Sequence, residues 1–289
     1  LQLHVAHDPD GYRTPVDDHG THVAGILAAD WRPDPEAVDP LGPPPPAREP
    51  REAIRGLCPD IELYDLRVFR PDGTGDEFAV MSALQFVRSL NQRFDAQEIH
   101  GVNLSLSMHH DVANYACGQS PVCEECTRLV HNGVVVVAAA GNEGRSIQTT
   151  TQGHSEEGYR DVSIADPGNA EAVITVGATH RREPHTYGVS YFSSRGPTGD
   201  GRLKPDLVAP GEKIQSTVPG DRLARKDGTS QAAPHVSGAA ALLMSRHREL
   251  IGEPARIKQV LMETATDLGR MRHFQGAGLV DVMRAIQRL

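Results

Sequence analysis

Val134-Val135-Val136-Val137-Ala138-Ala139-Ala140-Gly141-Asn142 decides the fold class. Seven apolar residues run without a polar break and stop at a glycine followed by an amide. A strand with one wet face would alternate, so an unbroken apolar strand belongs in the middle of a parallel sheet covered on both faces. Ala172 to Ala178 (Ala-Val-Ile-Thr-Val-Gly-Ala) has the same character. Val102 to Ser107 and the stretch around Leu207-Val208-Ala209 read as shorter strands. Between and around them, helical spacing is expected over His19 to Ala29, Glu77 to Arg93, Glu124 to His131, Arg256 to Ala265 and Leu279 to Leu289. Strands alternating with helices give an α/β fold with a doubly wound, mainly parallel sheet and helices on both faces. Ligands in such sheets bind beyond the carboxyl ends of the strands, which is where Asn142 falls.

Leu1 to Ala6 and Ile61 to Phe69 alternate and read as half-buried strands, whereas polar, aperiodic residues 145–160 read as a surface loop. Residues 32–50, including Pro43 to Pro46, form a Pro-rich surface insertion. Neither an internal repeat nor a second composition regime divides the chain, so 1–289 is expected to be one domain. The 289 residues are 38% hydrophobic and 23% charged, enough for a large core, and contain no run of about 18 apolar residues that would span a membrane. A formal charge of −9 argues against nonspecific nucleic-acid binding. Because the chain begins with Leu1, it carries no information on compartment.

A second stretch carries chemistry. Asp227-Gly228-Thr229-Ser230-Gln231-Ala232-Ala233-Pro234 is a polar turn entering a helix of small apolar residues, with Thr229 as N-cap and Ser230 in the first turn. Pro234 has no N–H to return to the Ser230 carbonyl, which loosens that turn. A hydroxyl there sits beside the free N–H groups of a helix start, where negative charge is favoured. His19, within Asp18-His19-Gly20-Thr21-His22, supplies a base, and Asn142 an amide donor. Nucleophile, base and oxyanion donor are the three roles that acyl transfer needs.

These segments resemble the subtilisin-like (S8) serine peptidases. The resemblance rests on Asp18 to Gly25, Ala139 to Gly144 and Gly228 to Val236, extended by Phe192 to Pro197 and Lys204 to Gly211, and covers nearly the whole chain from about Asp17. It implies a serine endopeptidase with Ser230 as nucleophile, His19 as general base and Asn142 as oxyanion donor. It also implies an extended polypeptide substrate lying along Ser105, Leu106 and Ser107, with Ala140 and Gly141 as the facing wall. No cofactor is required, calcium finds no support in the loop after the His19 helix, and a monomer is expected. Further domains or a pro-segment in a longer parent protein fit the same family.

Two departures stand out. The family places its triad aspartate some 30 residues or more before the histidine, whereas Asp8 precedes His19 by only 11 and is followed by Pro9-Asp10. The reading therefore favours a chain that starts after that aspartate, and keeps as its alternative a catalytically silent protein-binding domain. Asp17 and Asp18 are read as helix N-terminal residues. Ser107-Met108 also stands where the family usually has two glycines. Cys117, Cys123 and Cys126, near His109, His110 and His131, are more in keeping with a disulfide or packed thiols than with a zinc site. A metallohydrolase using His19 and His22 lacks the glutamate of an HExxH pair.

Overall fold

The computed structural model describes residues 2–5, 14–32, 53–70, 73–93, 97–149, 153 and 155–289. Four strands form the central sheet: β1 (Gly101–Leu104), β2 (Val135–Ala139), β3 (Ile174–His180) and β4 (Leu207–Glu212). They lie side by side in that order and all pairs are parallel, with Val102 opposite Val136, Val137 opposite Ile174 and Val176 opposite Leu207.

The apolar run is consumed on both faces, as the period of two in a strand requires. Val135 and Val137 enter one buried cluster with Ile174, Val176, Leu207 and helix α4 (Thr229–Arg246), joined by α5 (Pro254–Glu263) and α6 (Val282–Arg288). Val134, Val136 and Ala138 enter the other with Leu104, α2 (Glu77–Arg93) and α3 (Pro121–His131). The doubly wound α/β architecture is thus present. Helix α1 (His19–Ala28) packs along α4 and an antiparallel hairpin of β5 (Ile214–Val218) and β6 (Arg222–Lys226). The contact is close: a Cβ on Gly25 would lie 2.2 Å from Thr217 Oγ1, and one on Gly238 2.8 Å from Leu57 Cβ and 3.3 Å from Leu27 Cδ1.

Three local expectations need correction. Residues 145–160 hold an antiparallel hairpin, Arg145–Thr149 against Ser155–Tyr159. Its only large aliphatic residue, Ile147, is 70% exposed, so no apolar alternation marked it. The strand expected over 61–69 is confined to Tyr64–Arg67, which pairs antiparallel with Gln2–Val5 and not with the central sheet. The cap of α4 is Gly228, not Thr229, because the Thr229 hydroxyl is engaged elsewhere. Asp8 and all of the Pro-rich insertion except Arg32 lie outside the described residues.

At the amino ends of β3 and β4, away from Asn142, a charged knot is sealed in the protein. Lys204 Nζ donates to Val173 O, Thr175 Oγ1 and Asp206 Oδ2 at 2.7–2.8 Å, and Lys258 reaches Asp206 Oδ1 at 3.0 Å. Burial holds Lys204 well below the ordinary lysine range, at about 7, against the attraction of Asp206. The same burial acts to raise Asp206, but Lys204 and Lys258 outweigh it and its carboxyl is held below the usual value.

Candidate active site

Where the carboxyl ends of β1 and β2 meet the start of α4, the chain gathers hydroxyls, an amide and exposed backbone. Ser105 leaves β1, Ala140-Gly141-Asn142 leave β2, and Thr229-Ser230 open the helix. One consequence of Pro234 is visible at once. Its missing N–H frees the Ser230 carbonyl, and Ser105 Oγ donates to that oxygen at 2.7 Å. Ser105 Oγ in turn accepts from Asn103 Nδ2 at 2.9 Å, and Asn103 Oδ1 accepts from Ser237 Oγ at 2.9 Å. A chain of polar groups therefore runs from the third turn of α4 back to its first.

Thr229 organises the other side. It is fully buried, its hydroxyl accepts from the Gly141 N–H at 3.1 Å, and it donates to Asn142 Oδ1 at 3.0 Å. The Thr229 N–H reaches the same oxygen at 2.9 Å. With its oxygen held by two donors, Asn142 must present Nδ2 on its other side. A point in space shows where. The position a Cβ would take on Gly228 is 3.6 Å from Asn142 Nδ2 and 3.7 Å from the Ser230 nitrogen. Gly228 has φ +153°, a conformation that suits glycine, and with no side chain there the space is bordered by both donors and, at 2.8 Å, by Gln231 Oε1. The Ser230 N–H lies in the first turn, where the helix offers it no acceptor.

His19 is the first residue of α1, half-buried, with its N–H on Asp17 Oδ1 at 2.7 Å. Its helix packs against the one that carries Ser230. Leu27 of α1 faces Gly238 of α4, and His19 and Ser230 each precede that crossing by eight residues, about 12 Å of helix. An ion pair between Asp18 and Lys226 ties the start of α1 to the end of β6, three residues before α4. Among the described residues, however, the His19 ring makes no hydrogen bond, and the Ser230 hydroxyl donates to the Ser105 carbonyl at 3.2 Å. Burial lowers the His19 pKa, while Asp17 and Asp18 act to raise it.

The remaining expected residues divide by environment. Leu106 packs into the core beneath the site, and Ser107 is exposed. Met108, which follows, is bridged to Asp166 by two backbone bonds of 2.8 and 3.0 Å, so this edge is pinned. Ala140 and Gly141 are buried, and Gly141 has φ +105° with Ser194 Oγ 2.8 Å from where its Cβ would be. His22 is fully buried and its Nε2 faces two carbonyl oxygens, Ile214 O at 3.1 Å and Ala224 O at 3.2 Å. That nitrogen must therefore donate, and among the described residues the buried Nδ1 has no hydrogen-bond partner. All four cysteines are free; Cys123 and Cys126 are core thiols, with burial pushing Cys123 up to about 12 and Cys126 higher still. Among the described residues no group of three metal-ligating side chains occurs, and no helix is long and apolar enough to cross a membrane.

Sequence reasoning missed Thr229 as the holder of Asn142, and missed Asn103 and Ser237 altogether. Pro234 was the available signal: an orphaned Ser230 carbonyl required a donor from outside the helix.

A sheet of this topology, covered by helices on both faces, places the molecule among the doubly wound α/β folds. The chain belongs to the subtilase family, whose peptidase S8 model matches residues 4–278. It is 31% identical over 273 residues to subtilisin E of Bacillus subtilis, covering 93% of this chain and 56% of that protein. It is 28% identical over 278 residues to subtilisin DY of Bacillus licheniformis, covering 96% of this chain and 81% of the relative. The chain thus spans little more than half the length of subtilisin E. Among solved structures, the prenylagaramide maturation protease PagA superposes with a TM-score of 0.65 at 21% identity, covering 96% of this chain and 85% of that one, a likeness of fold.

Proposed function

We propose that this domain is a serine endopeptidase that cleaves extended polypeptides through an acyl-enzyme on Ser230. The observation that carries the reading is the nearness of Asn142 Nδ2 and the Ser230 nitrogen to one point beside Gly228, 3.6 and 3.7 Å away, with the Asn142 oxygen tied back by Thr229. Two fixed donors beside the nucleophile are what a developing oxyanion needs. In the reaction, the Ser230 hydroxyl turns from Ser105 O to His19, gives up its proton and attacks the scissile carbonyl carbon. The oxyanion is received beside Gly228. His19 then protonates the departing amine, and water repeats the sequence to release the acyl group. Ser105 to Ser107 offer a backbone edge for strand-like pairing of the substrate, and Ala140-Gly141, whose own backbone groups are bonded within the chain, form the facing wall. The reaction so written uses only these groups and no cofactor.

A second reading is favoured by a different observation. The Ser230 hydroxyl rests on a carbonyl, and the His19 ring has no carboxylate hydrogen bond among the described residues, so the cleft suits a silent polypeptide-binding domain as well. A fluorophosphonate probe separates the two. Labelling of the folded chain that disappears in Ser230→Ala, with cleavage of an unstructured protein, is expected for the enzyme. An unlabelled folded chain overturns it in favour of the silent domain.

A further inference from the structure

Behind the loop that carries Asn142 lies a second cleft, of about 560 Å³, lined by Tyr159, Tyr187, Tyr191, Phe274, Asp161 and Glu212, with Arg195 among its lining residues. Arg195 is only 3% exposed, yet no carboxylate among the described residues lies within ion-pair distance of it. Its guanidinium is stacked between rings, 4.8 Å from the Tyr159 centroid and 4.3 Å from that of Phe274. Nη2 donates to Tyr191 O at 3.2 Å, and Nε is buried with no hydrogen-bond partner among the described residues. Stacking covers the faces of the cation, but its edge wants acceptors, and a buried charge lacking a partner is costly. Burial accordingly depresses the Arg195 pKa, with Asp161 and Tyr159 opposing.

The other groups around the cleft define what fits. Three tyrosines line it, each more than half exposed, so the entrance is aromatic. Glu212 is engaged by Ser190 Oγ at 2.9 Å, and Asp161 is exposed. A planar carboxylate matches a guanidinium edge in a way that a neutral amide does not. The cleft and the Ser230 site also share a wall. Ser194 N donates to Gly141 O, Gly144 N donates to Phe192 O, and Arg195 Nη2 is 3.1 Å from where a Gly144 Cβ would be. Gly144 is two residues from Asn142, an extended span of about 7 Å.

We propose that this cleft is a second binding site that takes a carboxylate of a polypeptide, flanked by an aromatic or apolar group, on the edge of Arg195. That the carboxylate belongs to a polypeptide rests on the peptidase reading of the neighbouring site. The carboxylate is either an acidic side chain or a free C-terminus.

Binding is measured by calorimetry on the full chain carrying Ser230→Ala, so that no turnover intervenes. Three probes are compared: acetyl-Phe-Glu-Phe-amide, the same peptide with Gln for Glu, and the Gln peptide with a free C-terminal carboxylate. At least one acidic probe is expected to bind about tenfold or more tightly than the neutral one, and the tighter of the two names the source of the carboxylate. Arg195→Met should abolish the difference. Asp161→Asn, which removes a competing negative charge, should widen it. Equal binding of all three probes overturns the proposal, as does a difference that survives in folded Arg195→Met. If Arg195→Met does not fold, Asp161→Asn decides, and a difference that fails to widen counts against the site. Fluorophosphonate labelling of the unmutated chain reads the peptidase proposal separately, so the two fail independently.

Discussion

Replacing Thr229 by valine keeps the shape and the branched Cβ but removes one hydroxyl that does two things. It accepts from Gly141 N–H at 3.1 Å and donates to Asn142 Oδ1 at 3.0 Å. Thr229 is fully buried, so the Gly141 N–H is left without water as a substitute and the variant should lose about 2–3 kcal/mol of stability. Asn142 fares better, since the Thr229 N–H still holds its oxygen at 2.9 Å. Losing one of two tethers is worth about 1 kcal/mol of orientation, or about a fivefold fall in kcat. Removing the donor itself with Asn142→Ala should cost about 100- to 1,000-fold, a magnitude known from subtilisin mutagenesis and not worked from this structure. The sharper test is the double variant. If Thr229 acts on the reaction only through Asn142, then Thr229→Val on an Asn142→Ala background leaves kcat unchanged within about twofold while still lowering stability. Peptide p-nitroanilide hydrolysis reads the first quantity and urea denaturation the second. A double variant about fivefold slower than Asn142→Ala would refute the reasoning.

Two further outcomes follow from charge and burial. Asp206→Asn removes the carboxylate on which both Lys204 and Lys258 are paired and should cost about 3–5 kcal/mol in urea denaturation at pH 7; a loss under about 1 kcal/mol refutes the knot's role. The folded Asp206 carboxyl is held below its ordinary value, so its contribution is present above about pH 4 and is lost as pH falls through the lower folded pKa. The stability gap between parent and variant should therefore shrink in acid. For His19, burial lowers the pKa, so the neutral base persists into more acidic solution and the acid limb of kcat/KM should have its midpoint below about 6.5. A midpoint above about 7 would show a carboxylate raising it and contradict the present environment of the ring.

Legibility in the sequence followed the strength of the local pattern. The run from Val134 to Ala140 admits no other place than a sheet interior, and both of its faces are indeed covered. The amphipathic helices α2 and α3 carried their own period, though α3 begins at Pro121, earlier than its apolar spacing suggested. The hairpin over 145–159 had no such signal because neither face is buried by apolar side chains, so polarity alone spoke for a loop. The β5–β6 hairpin was likewise not seen: its strands are short and Arg222 to Lys226 is mostly charged.

Ser230, His19 and Asn142 were readable as a set because each lies where a strand ends or a helix begins, and such positions follow from local sequence. What holds them was decided only in three dimensions. Asn142 and Thr229 are 87 residues apart, and Ser105 and Ser230 are 125 apart. No periodicity relates residues at those separations. The tethers exist because parallel strands deliver all their carboxyl ends to one edge of the sheet, where the start of α4 is packed against them. Arg195 makes the same point more strongly. In the sequence it is one arginine in a turn; only the folded chain sets it against the Tyr159 and Phe274 rings and leaves its Nε without a partner among the described residues. Local pattern thus determined the layers and the chemistry each segment carries, while the orientation of every reacting or binding group depended on neighbours that the sequence keeps far apart.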